Sequence, residues 1–177
     1  KIWRKFPKSK VSPPRDWQFL LKGNFSTTNN LTMNIETRLQ ELHLQLPEIT
    51  IPGGNYQSVN VRGNVAYVAI QFPILKSEFL FTGILGTDYS TEEGYQAVQL
   101  CALNAISQIH HKIGFEKIAG INHFDLYYRC DGIWDEAPKV ANGASDLFIN
   151  VLQEKGQHTR AIMGVAHLPR NFSVGLV

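Results

Sequence analysis

The chain has 177 residues, a hydrophobic content of 44% and a charged content of 18%. That length suits one ordinary domain with a core and room for a short appendage. The composition excludes a disordered chain and a coiled coil. No apolar run approaches the roughly 20 residues that a membrane-spanning helix requires, so we expect no membrane partner.

Positive charge is concentrated at the beginning of the chain. Residues 1–30 hold seven basic residues and one acidic residue, a net charge of +6. The remainder holds 10 basic and 14 acidic residues, a net charge of −4. A mildly acidic body makes nucleic acid an unfavourable partner.

The two cysteines indicate a reducing compartment. Cys101 and Cys130 form neither a disulfide framework nor a CxxC motif. Cys101 falls on the apolar face of a predicted helix, where a thiol acts as a small hydrophobic group. We therefore expect a cytoplasmic protein.

Residues 1–32 are predicted to form a basic arm, and residues 33–177 a single domain. Pro7, Pro13 and Pro14 interrupt any helix in the arm, and no apolar segment marks a secretory signal. Aromatic and leucine residues favour an arm that lies on the body or on a neighbouring subunit. A leader translated by chance is the alternative.

The first part of the domain is predicted to contain one short helix and three strands. Apolar residues at helical spacing indicate a helix over Ile35–Leu42. From Tyr56 the period changes to two, which predicts strands Tyr56–Arg62 and Val65–Ile70 in a hairpin around Gly63-Asn64. Glu78–Thr82 is predicted to be a third short strand.

Two long helices and three more strands are predicted beyond residue 90. Ser90 and Glu93 form a capping box that begins the first helix, and Gly114 ends it. Residues 117–129 read as a strand. Pro138 begins the second helix, which Gly156 stops. Two final strands follow, Arg160–Ala166 and Phe172–Val177.

This order predicts a two-layer α+β domain with both long helices on one face of a mixed sheet. The other face is expected to be apolar as well, and an apolar face without helices favours packing on partner subunits. The residues that carry this expectation are Val59, Val61, Val65, Tyr67 and Ile162.

The sequence resembles a known family. Residues 35–177 are similar to the YjgF/Rid reactive-intermediate deaminases, in the chorismate-mutase-like "putative endoribonuclease" branch. The similarity lies in five blocks in the family's order: Gly54-Asn55-Tyr56; Arg62-Gly63-Asn64 with Gln71-Phe72-Pro73; Thr91–Gly94 with Leu100–Ala105; Pro138–Leu147; and Arg160 with Gly164–Pro169.

The resemblance implies a homotrimer with a barrel-like centre and three clefts between subunits. In active members, a cleft arginine holds the carboxylate of an enamine or imine. A water oriented by a glutamate then releases ammonia and a 2-keto acid. Neither a metal nor an organic cofactor takes part.

The resemblance also assigns site residues. Arg160 aligns with the arginine that holds the substrate carboxylate, and Tyr56 aligns with a cleft tyrosine. The peptide groups of Ala161 and Ile162 would line the same wall. A cleft asparagine falls near Arg129.

Two departures from the family pattern concern the handling of water. The family glutamate aligns with Gly175, and a serine-glycine pair aligns with Ala69-Ile70. Loss of a positioned proton acceptor costs roughly 10²–10⁴ in rate where such a base is used. His123, Arg129 and Asp131 are candidates to replace the missing groups.

Other polar residues are expected to be structural or exposed. Near the start of the second helix, Lys139, Asn142, Ser145 and Asp146 are expected to bond to neighbouring loops. The histidines show no metal-ligand spacing, and no phosphate-binding loop or nucleophile elbow is present.

Three hypotheses follow from the sequence. The first is an enamine or imine deaminase, and the second is a non-catalytic trimer that binds small carboxylates. The third is a ribonuclease, which the acidic body and the absence of a basic groove with stacking aromatics disfavour.

Overall fold

The computed structural model describes residues 34–177, so the predicted arm over residues 1–32 lies outside the described residues. None of the helices in residues 34–177 is long and apolar enough to cross a membrane. The helices are α1 (Ile35–Glu41), α2 (Thr91–Ile113) and α3 (Ala137–Leu152), and the strands are β1 (Val59–Arg62), β2 (Val65–Val68), β3 (Ile74–Leu75), β4 (Glu78–Phe79), β5 (His123–Tyr128), β6 (Thr159–Gly164) and β7 (Val174–Leu176).

A mixed sheet is built around β5. This strand pairs in parallel with β6 on one side and antiparallel with β7 on the other. Gln71, just beyond β2, exchanges two backbone hydrogen bonds of 2.7 and 2.9 Å with Leu176 of β7. The β1–β2 hairpin is thereby attached to the same sheet.

The predicted hairpin is confirmed, and the third strand is shorter than predicted. Arg62 pairs with Val65 across the Gly63-Asn64 loop, where Gly63 has a φ of 57°, which glycine adopts readily. The predicted third strand, Glu78–Thr82, corresponds to β4, which contains only Glu78 and Phe79. Phe81 has a φ of 52° and interrupts the extended backbone. The partner of β4 is the two-residue strand β3, which was not predicted.

Both long helices begin as the sequence indicates. The Ser90 hydroxyl accepts from the Glu93 amide at 3.2 Å, and the Glu93 carboxylate accepts from the Ser90 amide at 2.8 Å. Gly114, with a φ of 81°, caps the end of α2. Helix α3 ends at Leu152, and a 3₁₀ turn continues to the predicted stop at Gly156.

The two helices cover one face of the sheet, which confirms the predicted two-layer α+β architecture. Phe124 and Leu126 of β5 and Val174 and Leu176 of β7 are buried beneath α2 and α3, each at most 2% exposed. Cys101 is completely buried in α2, as predicted, and burial raises the pKa of its thiol.

The prediction of an apolar open face is correct only in part. The strand register places Val59 and Val61 on the face opposite to Val65 and Tyr67. Val59 is 3% exposed, whereas Val65 and Tyr67 are 37% and 61% exposed. Ile162 pairs with Leu126 on the helix side and packs against the core. The oligomer stays a prediction, supported here by Val65 and Tyr67.

Helices α2 and α3 approach each other closely at Gly143. A Cβ atom on Gly143 would lie 2.2 Å from the carbonyl oxygen of Tyr95, which is a backbone atom and cannot rotate away. At Gly94 of α2, a Cβ atom would lie 2.9 Å from Val140 of α3. These two glycines allow the helix axes to approach, and α3 is thereby fixed relative to the sheet.

We predict that Gly143→Ala lowers the free energy of unfolding by about 1–3 kcal/mol, because the added methyl group forces the helices apart. Gly132→Ala is the matched control, since nothing lies within 4 Å of its Cβ position. Its effect should stay within about 0.5 kcal/mol. Urea denaturation followed by circular dichroism measures both. Equal stability of the two variants would contradict the close helix contact.

Candidate functional site

Arg160 lies on β6, and its side chain is on the helix side of the sheet. Its strand partner is the buried Phe124, so both side chains face α3. The Nη1 atom donates to Asn142 Oδ1 at 2.8 Å and to Ser145 Oγ at 2.9 Å. The Nη2 atom lies 3.5 Å from the carbonyl oxygen of Pro138. These three acceptors follow one stripe of α3.

The positive charge of Arg160 has no acidic partner in residues 34–177. Each of its three hydrogen-bond acceptors is a neutral oxygen, and the ion pairs of this region involve other residues. The side chain is partly exposed. A guanidinium group that is held in place but not neutralised can receive a carboxylate through its remaining N–H groups.

A histidine helps to fix the arginine through Ser145. His158 Nδ1 lies 2.6 Å from the Gly156 carbonyl oxygen, which can only accept, so Nδ1 carries a hydrogen. In the neutral ring, Nε2 accepts from the Ser145 hydroxyl at 3.0 Å. The same hydroxyl oxygen keeps a lone pair for Arg160. No sequence pattern singles out His158, because its contact with Ser145 depends on how α3 packs beside β6.

The polar residues near the start of α3 have more specific contacts than predicted. Asn142 and Ser145 bond to the arginine of β6, not to a loop. Asp146 accepts from the Tyr95 hydroxyl of α2 at 2.8 Å. Burial and this carboxylate both raise the pKa of Tyr95. Lys139 pairs with Glu136 in the first turn of the helix.

Of the other predicted site residues, Ala161 and Ile162 adjoin Arg160 on β6, whereas Tyr56 makes no hydrogen bond or ring contact with it within residues 34–177. Tyr56 is 51% exposed, and its hydroxyl accepts from the Gly53 amide in its own loop. Ala161 pairs with Asp125, and its side chain is therefore on the other face of the sheet. Ile162 is on the face of Arg160.

Arg129 follows the central strand β5, and its side chain bonds on the β7 side, away from Arg160 on β6. Its Nη1 atom donates to Asn171 Oδ1 at 2.6 Å, in the turn that precedes β7. Strand β7 is on the far side of β5 from β6. The two arginines therefore do not form one cluster within the chain.

Apolar side chains fill the space beside Gly175, which the resemblance aligns with a glutamate. A Cβ atom on Gly175 would lie 2.8 Å from Ile70 Cδ1 and 2.9 Å from Phe72 Cε1. Phe72 is stacked on Phe172, with the ring centroids 4.7 Å apart. Asn104 of α2 donates to the carbonyl oxygen of Phe72 at 3.0 Å and so fixes this segment.

The candidate replacements for the missing acid have other partners. His123 Nε2 lies 3.0 Å from Asp125 Oδ1 on the open face of the sheet. Asp131 accepts from the Thr87 hydroxyl and from backbone amides of its own loop, and these hydrogen bonds lower the pKa of its carboxyl group. No hydrogen bond or ion pair within residues 34–177 links Arg160 to any of them.

The fold and the site define a class of protein: a two-layer α+β domain in which a strand arginine, held by a helix, has no acidic partner in residues 34–177. The sequence model of the family described as "YjgF/chorismate mutase-like, putative endoribonuclease" matches residues 36–177. The chain belongs to this YjgF family.

Individual relatives agree with this assignment. The chain is 33% identical to protein TCP17 of Trypanosoma cruzi over 137 residues, which are 76% of this chain and 86% of that protein. A "putative endoribonuclease" from Shewanella oneidensis has a similar crystal structure, with a TM-score of 0.80 and 34% identity. That match covers 81% of this chain and 96% of the other.

A crystal structure of a protein of unknown function from Agrobacterium tumefaciens is similar as well. The TM-score is 0.74 and the identity is 34%. The match covers 80% of this chain and 88% of that chain. Both structures therefore support the fold over nearly the whole described region.

We predict that Gly175→Glu lowers the free energy of unfolding by about 1–3 kcal/mol, because its side chain overlaps Ile70 and Phe72. Ile70→Gly removes the overlap with Ile70 and leaves the one with Phe72, so the two substitutions together should cost less than the sum of each alone. The expected favourable coupling is about 1 kcal/mol or more, measured by urea denaturation of the double-mutant cycle.

The control cycle pairs Gly175→Glu with Ile51→Gly, since Ile51 is 89% exposed. That cycle should be additive within about 0.5 kcal/mol. Additivity in both cycles would mean that Ile70 does not occupy the space above Gly175.

Proposed function

We propose that this protein binds small 2-keto and 2-imino carboxylates through Arg160, in clefts between the subunits of a homotrimer. One observation carries the proposal: the guanidinium group is held by neutral oxygens of α3 and has no acidic partner in residues 34–177. Such a group favours an anionic ligand, and a carboxylate matches its planar donors.

In the proposed trimer, a neighbouring subunit completes the site around Arg160. Tyr56 has no hydrogen bond or ring contact with Arg160 in residues 34–177, and its ring is exposed. A neighbouring subunit can bring a second Tyr56 to the arginine. The exposed Val65 and Tyr67 offer apolar surface for such an association.

Efficient hydrolysis of enamines or imines is the second candidate, favoured by family membership. It requires a group that accepts a proton from the attacking water. Ile70 and Phe72 occupy the space beside Gly175, and no carboxylate contacts Arg160 in the described residues. We therefore propose binding as the main function, with slow or no turnover.

Cleavage of RNA is a weaker candidate. The family description includes the word endoribonuclease, yet residues 31–177 carry a net charge of −4. An acidic body repels a polyanion, whereas a small carboxylate needs only one local cation. Both cysteines are free, which agrees with the cytoplasm as the proposed location.

We predict that Arg160→Gln weakens binding of 2-oxobutanoate by about 10- to 100-fold, because a charge-assisted hydrogen bond contributes about 1.5–3 kcal/mol. Isothermal titration calorimetry measures the affinity. Arg160→Lys should be intermediate, since it keeps the charge and loses the planar fork. Arg62→Gln, at an exposed hairpin arginine, is the control and should bind like the wild type. Equal loss at both arginines would contradict a specific site.

We predict a gain of hydrolysis when the water-handling residues are introduced. The variant Ala69→Ser/Ile70→Gly/Gly175→Glu provides a carboxylate and removes its overlap with Ile70. A pyridoxal-phosphate enzyme generates 2-aminoacrylate, and the release of keto acid is followed with and without each protein. The variant should accelerate release on the order of 100-fold over the wild type, as a positioned base does.

The matched control adds Arg160→Gln to that variant, which should abolish the gain. Wild-type protein that already accelerates release as strongly as the variant would establish the deaminase as the main function. RNA cleavage by wild type that persists in Arg160→Gln would favour the ribonuclease.

A further inference from the structure

An apolar strip leads from Arg160 toward the carboxyl ends of β5 and β6. Residues two apart share a face of a strand, so Arg160, Ile162 and Gly164 follow one another on the helix side. They span ~13 Å along β6, at ~3.3 Å per residue. Ile162 is partly buried and packs against the core. The guanidinium group thus has polar oxygens of α3 on one side, and the next residue of β6 on its own face is apolar.

Two aromatic side chains continue the strip. Gly164 pairs with Tyr128 of β5, and the Tyr128 ring covers it, since a Cβ atom on Gly164 would lie 3.2 Å from Tyr128 Oη. Trp134 packs edge-on against Tyr128, with the ring centroids 5.7 Å apart. Both rings are only partly buried.

The tryptophan is held in a fixed orientation. Its Nε1 atom donates to Thr91 Oγ1 at 3.1 Å, and its backbone amide donates to Asp131 Oδ1 at 2.9 Å. Its side chain also packs on Gly86, where a Cβ atom would lie 2.7 Å from the Trp134 Cβ atom. A fixed, half-exposed ring loses little conformational entropy when it contacts a ligand.

The Tyr128 hydroxyl adds a polar group at the end of the strip. Burial, with smaller contributions from Cys130 and Asp135, raises the pKa of Tyr128, so the hydroxyl stays protonated at neutral pH. It can donate to an acceptor on a ligand or to a water.

We propose that the Arg160 site selects carboxylates that carry an aromatic side chain, with the carboxylate on the guanidinium group and the ring against Ile162, Tyr128 and Trp134. This inference rests on the proposed function, carboxylate binding at Arg160, and names the class of ligand. A two- or four-carbon acid reaches the arginine and leaves the strip in contact with water. An aromatic acid contacts the arginine through its carboxylate and covers the strip with its ring. Removal of this apolar surface from water favours binding of the aromatic acid.

Titration calorimetry with three probes tests the selection. The probes are 2-oxobutanoate, 3-phenyl-2-oxopropanoate and the amide of the phenyl acid. The phenyl acid should bind on the order of tenfold more tightly than 2-oxobutanoate, because its ring is removed from water. The amide should bind more weakly than the acid, because it lacks the charge that pairs with Arg160.

Substitutions of Trp134 test whether the phenyl ring of the ligand contacts this residue. Trp134→Ala should remove most of the advantage of the phenyl acid and leave the affinity for 2-oxobutanoate within about twofold, because only the ring contact is lost. Ile133→Ala is the matched control, since Ile133 is the adjacent apolar residue and is 94% exposed. Trp134→Leu keeps an apolar side chain and serves if Trp134→Ala does not fold. Circular dichroism verifies folding of each variant.

The outcomes separate this inference from the proposed function. If 2-oxobutanoate binds and depends on Arg160, but the phenyl acid binds no more tightly, the aromatic selection is wrong and the carboxylate site stands. An advantage of the phenyl acid that survives in Trp134→Ala and Trp134→Leu would also overturn the selection by this strip. If neither acid binds, the proposed function itself fails.

Discussion

The close approach of α3 to α2 determines where the candidate site forms. Gly143 leaves no side chain between its helix and the backbone of Tyr95, and the Tyr95 hydroxyl donates to Asp146 one turn further along α3. These two contacts fix both the distance and the rotation of α3. As a result, Asn142 and Ser145 of α3 face β6. Both accept hydrogen bonds from the guanidinium group of Arg160. A shift of the helix would remove both acceptors from the arginine.

Apolar side chains lie over Gly175 in the sheet. A Cβ atom on Gly175 would lie 2.8 Å from Ile70 Cδ1, so this position has no room for a larger side chain without repacking. The family resemblance aligns Gly175 with a glutamate, and the proposal of binding with little turnover rests on that alignment. Arg160 lies on β6 and is held by α3. The proposed binding role of Arg160 therefore does not depend on a carboxylate at position 175.

Local rules predicted most of the fold. The two-residue loop at Gly63 sets the hairpin, and the Ser90 capping box begins α2 at the predicted residue. Strand β3 could not be predicted, because two residues carry no periodicity. The open face was misjudged because Val59 and Val65 lie on opposite faces, and the strand register decides this.

The site was predicted less completely than the fold. The family resemblance identified Arg160, but its partners come from α3 and depend on tertiary packing. The contact of His158 with Ser145 joins residues 13 positions apart across a helix end, and the sequence has no marker for it. The resemblance aligned Gly175 with a glutamate. The contact of Ile70 with Gly175 could not be predicted, because it depends on how neighbouring strands pack.

A crystal structure of the full chain with 2-oxobutanoate would show whether Arg160 binds a carboxylate. We predict a trimer in which a carboxylate oxygen of the ligand lies about 3 Å from a guanidinium nitrogen of Arg160. An acidic side chain of a neighbouring subunit paired with Arg160, with the ligand absent from that cleft, would contradict it.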